Sequence, residues 1–386
     1  MKSGDSMETE ISTAVKQRSA YWDNIKGILM ILTVFAHILL DIKGSGATRH
    51  LTNYIYTFHM PVFVFISGYF GKSENSRSSR SVLRLLFLYI VFNSFMGFVF
   101  GFESILQPVN HMWYLFALMV WRLSAHRIAG FPMIIEILIF ISLFAGFEMT
   151  LTQEFAAARI VGFFPFYMAG YLFKKESSDK ILTGAWSKRI ISGLLFLVPS
   201  CFLMYFSDKI FKYTLSQLCM SSYTFAEDCV GRICIYIISF MMVFAFLHLT
   251  PSGKIPFITS VGRYSLPVFV LHRPVTLLID DQLKGFKEPV KVSIAIVLTI
   301  LICLIFGNAK VSAVMNSYAD KGAELFDGKG KKKIGIAMFS IIAVLLGFVI
   351  LLAADVYSSF DPSELDDLHF GKERSDNNIY MVVGEK

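Results

Sequence analysis

This chain of 386 residues has little charge. Charged residues make up 17% of it, against about 25% in soluble globular domains. That shortfall argues against a solvated surface on all sides. Cysteine is scarce and scattered: Cys201, Cys219, Cys229, Cys234 and Cys303. No spacing among them suits a metal, so no metal is expected. Cys219 and Cys229 share a loop and are candidates to pair; the other reading is that all five are apolar filler. Internal repeats and nucleotide motifs are missing. The segment Gly328-Lys329-Gly330-Lys331 lacks phosphate-loop spacing and reads as a basic flank. The first apolar run starts too late, with no small-residue cleavage site, for a cleavable leader to be expected. The net charge of +7 is modest. It sits in loops, which points to anionic lipid and orientation signals rather than nucleic acid.

What the chain does have is hydrophobic length. Apolar residues are 55% of the sequence, phenylalanine alone accounts for 38 positions, and the mean hydropathy is +0.58. Runs near 18–20 residues mark membrane spans. Eleven are read: 24–42, 51–70, 82–102, 111–124, 131–149, 157–173, 190–206, 231–249, 264–281, 289–307 and 334–355. The expected fold is all-α, a polytopic transmembrane bundle. Arg84 and Arg232 lie near span ends, where snorkelling is feasible. Basic residues gather after span two (Lys72, Arg77, Arg80), after span six (Lys174, Lys175, Lys180, Lys188, Arg189) and after span ten (Lys310, Lys321, Lys329, Lys331, Lys332, Lys333). The positive-inside rule then places the N-terminus in the cytoplasm and the C-terminus outside. The expected organisation is a cytoplasmic tail (1–20), a membrane core (21–308), a basic cytoplasmic loop (309–333), one further helix (334–355) and a polar extracytoplasmic tail (356–386).

Polar groups inside the spans are the candidates for chemistry, because a charge in a bilayer costs roughly 2.5–3.5 kcal/mol and usually marks function. Span one carries Asp23, Lys26 and His37. On a helix, Lys26 and His37 fall about 20° apart around the axis and about 16 Å apart along it, with Asp23 about 40° from His37. One stripe thus holds acid, base and imidazole. Span two holds His59 followed by Pro61, which frees the Thr57 carbonyl, and ends near Ser67-Gly68. Span nine holds His272 between Pro267 and Pro274. Lys26, Arg84 and Arg263 lie toward the cytoplasmic side; His111, Trp113, Glu148 and Arg159 lie toward the outer side. Bland readings stand beside these. Lys26 also suits a positive-inside anchor, a membrane histidine also serves as a helix–helix hydrogen-bond partner, and Trp113 and Arg159 also suit interfacial anchoring. Asp23 can tune Lys26, cap the helix or face water.

Four segments resemble the acyltransferase-3 family of integral-membrane acyltransferases, in its fucose 4-O-acetylase-like or polysaccharide O-acetyltransferase branch. They are Asp23-Asn24-Ile25-Lys26-Gly27 with ten residues between Lys26 and His37; Phe58-His59-Met60-Pro61-Val62-Phe63 running to Phe65-Ile66-Ser67-Gly68-Tyr69; His111-Met112-Trp113-Tyr114-Leu115; and Gly262-Arg263-Tyr264-Ser265-Leu266 with Leu271-His272. The resemblance covers about residues 20–308. Many members have arginine where Lys26 stands, and lysine loses the bidentate fork. The fused hydrolase-like domain of some members has no counterpart here, which implies that the acceptor reaches the membrane site directly.

The resemblance implies transfer of an acetyl group from cytoplasmic acetyl-CoA, as co-substrate, to a hydroxyl of a cell-surface or lipid-linked glycan. His37 would be general base or nucleophile, with Lys26 and His59 beside it and Asp23, Ser67 and His272 in support. Arg77, Arg80, Arg84 and Arg263 would hold the donor; His111, Trp113, Glu148 and Arg159 would meet the saccharide acceptor. The competing class is a transporter or flippase of lipid-linked sugars. The midplane carboxylates common in such proteins are missing: Asp41, Glu148 and Asp280 fall near outer ends, and Glu136 in the inner third of span five. A sensor or assembly partner with a decayed site is the third class.

Overall fold

Long apolar runs fold as helices because a helix satisfies every backbone polar group within itself. A computed structural model describes residues 19–42, 46–100, 107–148, 155–277 and 286–326. Among these residues there is no strand. The helices in chain order are α1 (Ala20–Asp41), α2 (Ala47–Gly71), α3 (Glu74–Arg77), α4 (Ser79–Phe100), α5 (Trp113–Ile128), α6 (Ile134–Ala145), α7 (Ala157–Leu172), α8 (Lys175–Thr183), α9 (Trp186–Phe211), α10 (Leu215–Leu218), α11 (Asp228–Leu249), α12 (Pro256–Arg263), α13 (Ser265–Leu277), α14 (Glu288–Phe306) and α15 (Ala309–Phe326). The chain is an all-α polytopic membrane bundle. Ten expected spans coincide with helices. The eleventh, together with both tails and Asp280, lies outside the described residues.

Among the described residues, five helices are long and apolar enough to cross a membrane by themselves: α1, α4 (over Ser79–Phe98), α9, α11 and α14. They differ in surroundings. The apolar window of α1 is 61% buried, whereas those of α9 and α14 are 22% buried. So α1 is the central post, packed on α2, α12, α13 and α14. Helices α9 and α14 turn apolar side chains such as Leu195, Phe202 and Ile305 outward, toward lipid.

Two crossings are so close that backbone meets backbone. A Cβ on Gly27 of α1 would collide with the Ile258 carbonyl of α12, and one on Gly262 of α12 with the Asp23 carbonyl of α1. A Cβ on Gly68 of α2 would strike the Tyr167 carbonyl of α7, and one on Gly170 of α7 the Phe65 carbonyl of α2. Small residues permit this approach in membranes, where van der Waals packing drives association. Asn24 reinforces the first crossing. Its amide donates to the carbonyls of Pro251 (2.9 Å) and Gly253 (2.7 Å), and its carbonyl accepts from Thr259 Oγ1 at 2.6 Å.

Pro61 lies inside α2. The carbonyl it frees, on Thr57, accepts a 2.6 Å hydrogen bond from Ser239 Oγ of α11, so the proline ties α2 to α11. The segment 309–333, read as a basic loop, contains α15, which packs on α4. The ninth span starts at a break: Tyr264 (φ −113°, ψ 35°) ends α12, and α13 begins at Ser265. Cys219 and Cys229 are free thiols and do not pair.

Candidate active site

Four imidazoles from four segments meet where α1, α2 and α13 converge on the start of α5. His37 of α1 and His272 of α13 have ring centroids 5.0 Å apart; His272 and His111 are 5.1 Å apart; His37 and His59 of α2 are 6.4 Å apart. Tyr56 lies nearly parallel to His37 at 5.8 Å, and Phe269 packs on His111 at 5.0 Å. His59, His111 and His272 are buried. His37 keeps a partly exposed face.

Hydrogen bonds fix the tautomers. His272 Nδ1 lies 3.0 Å from the Val268 carbonyl and 2.8 Å from the Phe269 carbonyl. Carbonyls only accept, so Nδ1 carries the proton. Neutral His272 then offers a lone pair at Nε2. That atom is 2.9 Å from His37 Nδ1, so His37 Nδ1–H donates to it. His37 Nε2 is left with an unprotonated lone pair. The other group's hydrogen bond sets which nitrogen is reactive. His59 Nδ1 donates to the Ile55 carbonyl at 2.9 Å, which likewise leaves its Nε2 as an acceptor. The ring nitrogens of His111 lie beside the carbonyls of Phe269 and Val270 but make no hydrogen bond of good geometry to them.

His111 is delivered by a short pinned segment. Asn93 of α4 donates to the Gln107 carbonyl and accepts from the Val109 N–H, both at 2.8 Å. Asn110 is then held in the left-handed region at φ 51°. Such strain in a non-glycine residue persists only when its surroundings impose it, and it clusters at functional sites.

A buried ion pair stands one turn beyond the His37–His272 contact. Arg273 Nη1 lies 2.6 Å from Asp41 Oδ2, with 1% and 8% of the side chains exposed. Arg273 also donates to Thr276 Oγ1 at 3.2 Å. Sequence reasoning placed Asp41 at an outer helix end and gave Arg273 no role. The only available signal was position: Asp41 follows His37 by four residues, and Arg273 adjoins His272.

At the other end of α1, Lys26 Nζ lies 2.8 Å from Asp23, whose carboxylate is also 4.0 Å from Arg263. Asp23 therefore pairs with cations and does not face water. Trp22 stacks on Tyr69 at 4.4 Å, and Lys26 lies 5.8 Å from the Phe70 ring, so this end of α1 abuts the end of α2. A cavity of about 510 Å³ opens here between Asp23, Lys254, Thr259 and Arg263. Ser67 donates to the Phe63 carbonyl at 2.9 Å and shares a 2.6 Å hydrogen bond with Tyr114.

Other expected residues stand elsewhere. Arg80 lies 3.5 Å from Asp320 and from Glu324, and Arg84 lies 3.4 Å from Asp320 and 2.9 Å from Asn316. Both clamp α4 to α15. Arg77 sits apart from them, half-buried, on α3. Trp113 is buried against Phe163, with Arg159 5.8 Å from its ring. Glu148 is exposed, and its carbonyl accepts from Ser222 at 2.7 Å.

Residues 19–308, three quarters of the chain, match the acyltransferase domain of the acyltransferase-3 family. The chain belongs to the acyltransferase-3 family. The matched region takes in every helix of the imidazole cluster and ends before α15. The nodulation protein NolL of Sinorhizobium fredii (strain NBRC 101917 / NGR234) is 26% identical over 216 residues, covering 50% of this chain and 59% of that protein. The match thus spans well under two thirds of the relative's length. No solved structure matches this chain. Among the described residues no group of histidine, cysteine and carboxylate side chains is arranged to hold a metal ion.

Proposed function

We propose that this membrane acyltransferase moves an acetyl group from cytoplasmic acetyl-CoA to a hydroxyl of a cell-surface or lipid-linked glycan, with His37 as general base. The observation that carries the reading is the 2.9 Å contact between His37 Nδ1 and His272 Nε2. It leaves a lone pair on the one imidazole of the four with an accessible face. The acceptor hydroxyl gives its proton to His37 Nε2, and its oxygen attacks the thioester carbonyl. The tetrahedral intermediate collapses with loss of the thiolate, which takes the proton back from His37. A general base contributes about 10²–10⁴-fold.

The other imidazoles divide the remaining work. His59 presents an acceptor at Nε2, so it suits orienting a second sugar hydroxyl better than an oxyanion. His111, which carries a ring N–H in its neutral form, suits the developing oxyanion. With the N-terminus in the cytoplasm, the Lys26 end of α1 faces the donor, and Trp113 and Arg159 line the acceptor side.

Purified protein is assayed for CoA release with candidate glycans. The expected result is glycan-dependent release that His37→Ala abolishes while membrane insertion is unchanged. Near-wild-type transfer by that variant would overturn the role of His37. Sugar translocation without consumption of acetyl-CoA would show a transporter instead.

A further inference from the structure

The Gly27–Gly262 crossing fixes α12 to one end of α1, but it does not fix α13. The chain breaks at Tyr264 between those two helices. Pro274 lies inside α13 and removes one backbone hydrogen bond beside His272. A helix with a break before it and a proline within it does not set its own position. Yet His272 Nε2 stands 2.9 Å from His37 Nδ1.

A second contact joins the same two helices. Asp41 Oδ2 of α1 and Arg273 Nη1 of α13 are 2.6 Å apart, with both side chains buried. On α1, Asp41 follows His37 by one turn, about 40° round the axis and about 6 Å further along. On α13, Arg273 follows His272 directly, and its guanidinium also donates to Thr276 Oγ1 at 3.2 Å. The Arg273 charge reaches His37, His111 and His272 alike, which sets it at the edge of the imidazole cluster. One imidazole contact alone would leave α13 able to swing about it. Two contacts at neighbouring levels set both its height and its rotation on α1.

Stability does not account for the pair. Exchanging a buried ion pair for apolar residues of similar volume is often neutral or stabilising, and charges inside lipid spans usually mark function. An ion pair differs from an apolar contact in direction: it is satisfied at one register and not at its neighbours. Setting register is the best-attested use of a buried polar contact.

We propose that Asp41 and Arg273 are positioning residues for acyl transfer, which lock α13 on α1 in the register that joins His272 to His37. This rests on His37 as general base, as read above, and extends it. The acid and the cation act through His272 and not on donor or acceptor.

The test uses the purified full-length protein in detergent micelles, with Tm, kcat and both KM values measured for each variant. Asp41→Leu with Arg273→Met replaces the ion pair by an apolar pair. It should fold with a Tm near that of wild type. Its kcat should still fall about 10- to 100-fold, the scale set by a small misplacement of reacting groups, with KM for acetyl-CoA and for the glycan unchanged. Asp41→Asn with Arg273→Gln makes the same comparison with a neutral polar pair, so that it stands if the apolar pair does not fold. Wild-type kcat in a folded pair variant overturns the proposal, because the ion pair would then only hold the fold. Each exchange is repeated in a His272→Leu background. Acting through His272, it should there cost at most about twofold more; a loss as large as in the presence of His272 overturns the proposal. His37→Ala separates the two readings. Inactive beside a fully active pair variant, it keeps the base and overturns the positioning; active, it overturns the base and the positioning with it.

Discussion

Replacing His272 with leucine tests whether His37 is held as a base by its neighbour. Leucine fills the space but accepts no hydrogen bond, so His37 Nδ1–H loses the partner it has at 2.9 Å. Stranding that donor costs about 1–3 kcal/mol. The penalty falls on the tautomer whose Nε2 lone pair takes the hydroxyl proton. At about 1.4 kcal/mol per decade, kcat should drop roughly 5- to 150-fold. The loss stays below that of His37→Ala, which removes the whole general-base contribution of about 10²–10⁴. His272→Gln restores a carbonyl oxygen as acceptor and should recover most of the lost rate. KM for donor and acceptor should not move, because neither variant touches a proposed binding group. Steady-state kinetics in micelles with a soluble glycan acceptor gives kcat and both KM values. Equal defects in the leucine and glutamine variants would refute the reasoning, since shape alone would then explain the loss. Full activity in the leucine variant would refute it more simply.

Two further outcomes concern stability. Asp41→Asn leaves Arg273 buried without its carboxylate and should cost about 3–5 kcal/mol, read as a lower Tm in detergent, whereas Asp41→Leu with Arg273→Met together should regain most of it; additive losses in the double variant would contradict the pairing. Gly170→Ala places a methyl against the Phe65 carbonyl and should destabilise by about 1–3 kcal/mol through overpacking, checked by Tm beside Gly184→Ala, where a Cβ would meet only ordinary contacts.

Much of the helical architecture was legible because the lipid-soluble runs are long and uninterrupted. The imidazole cluster was legible in part. His37, His59 and His272 announce themselves as polar groups at similar depth in apolar helices, and depth follows from counting residues along an axis. What counting cannot supply is pairing around the axis. Asp41 and Arg273 are separated by 232 positions, and nothing local says that they meet. The same gap misplaced the basic residues. Arg80 and Arg84 read as free cations because Asp320 and Glu324 lie in a segment read as a loop, and hydropathy does not register an amphipathic helix folding back. Pro61 was rightly read as releasing a carbonyl, but its new donor, Ser239, lies 182 residues away.

The backbone crossings at Gly27–Gly262 and Gly68–Gly170 have a mechanical consequence. Side-chain packing can adjust by changing rotamers, but two main chains in contact have none to change. Helices α1 and α2, which carry His37 and His59, are each seated on such a contact. The lipid-facing α9 and α14 are not among those crossings; they hold to α11 and α1 through contacts that side chains can readjust when the bilayer thickens or its lateral pressure rises. Such a change should reach each unit as a rotation of the whole, with no give at its crossing, so that any adjustment between His37 and His59 falls on the side-chain contacts that join α1 to α2.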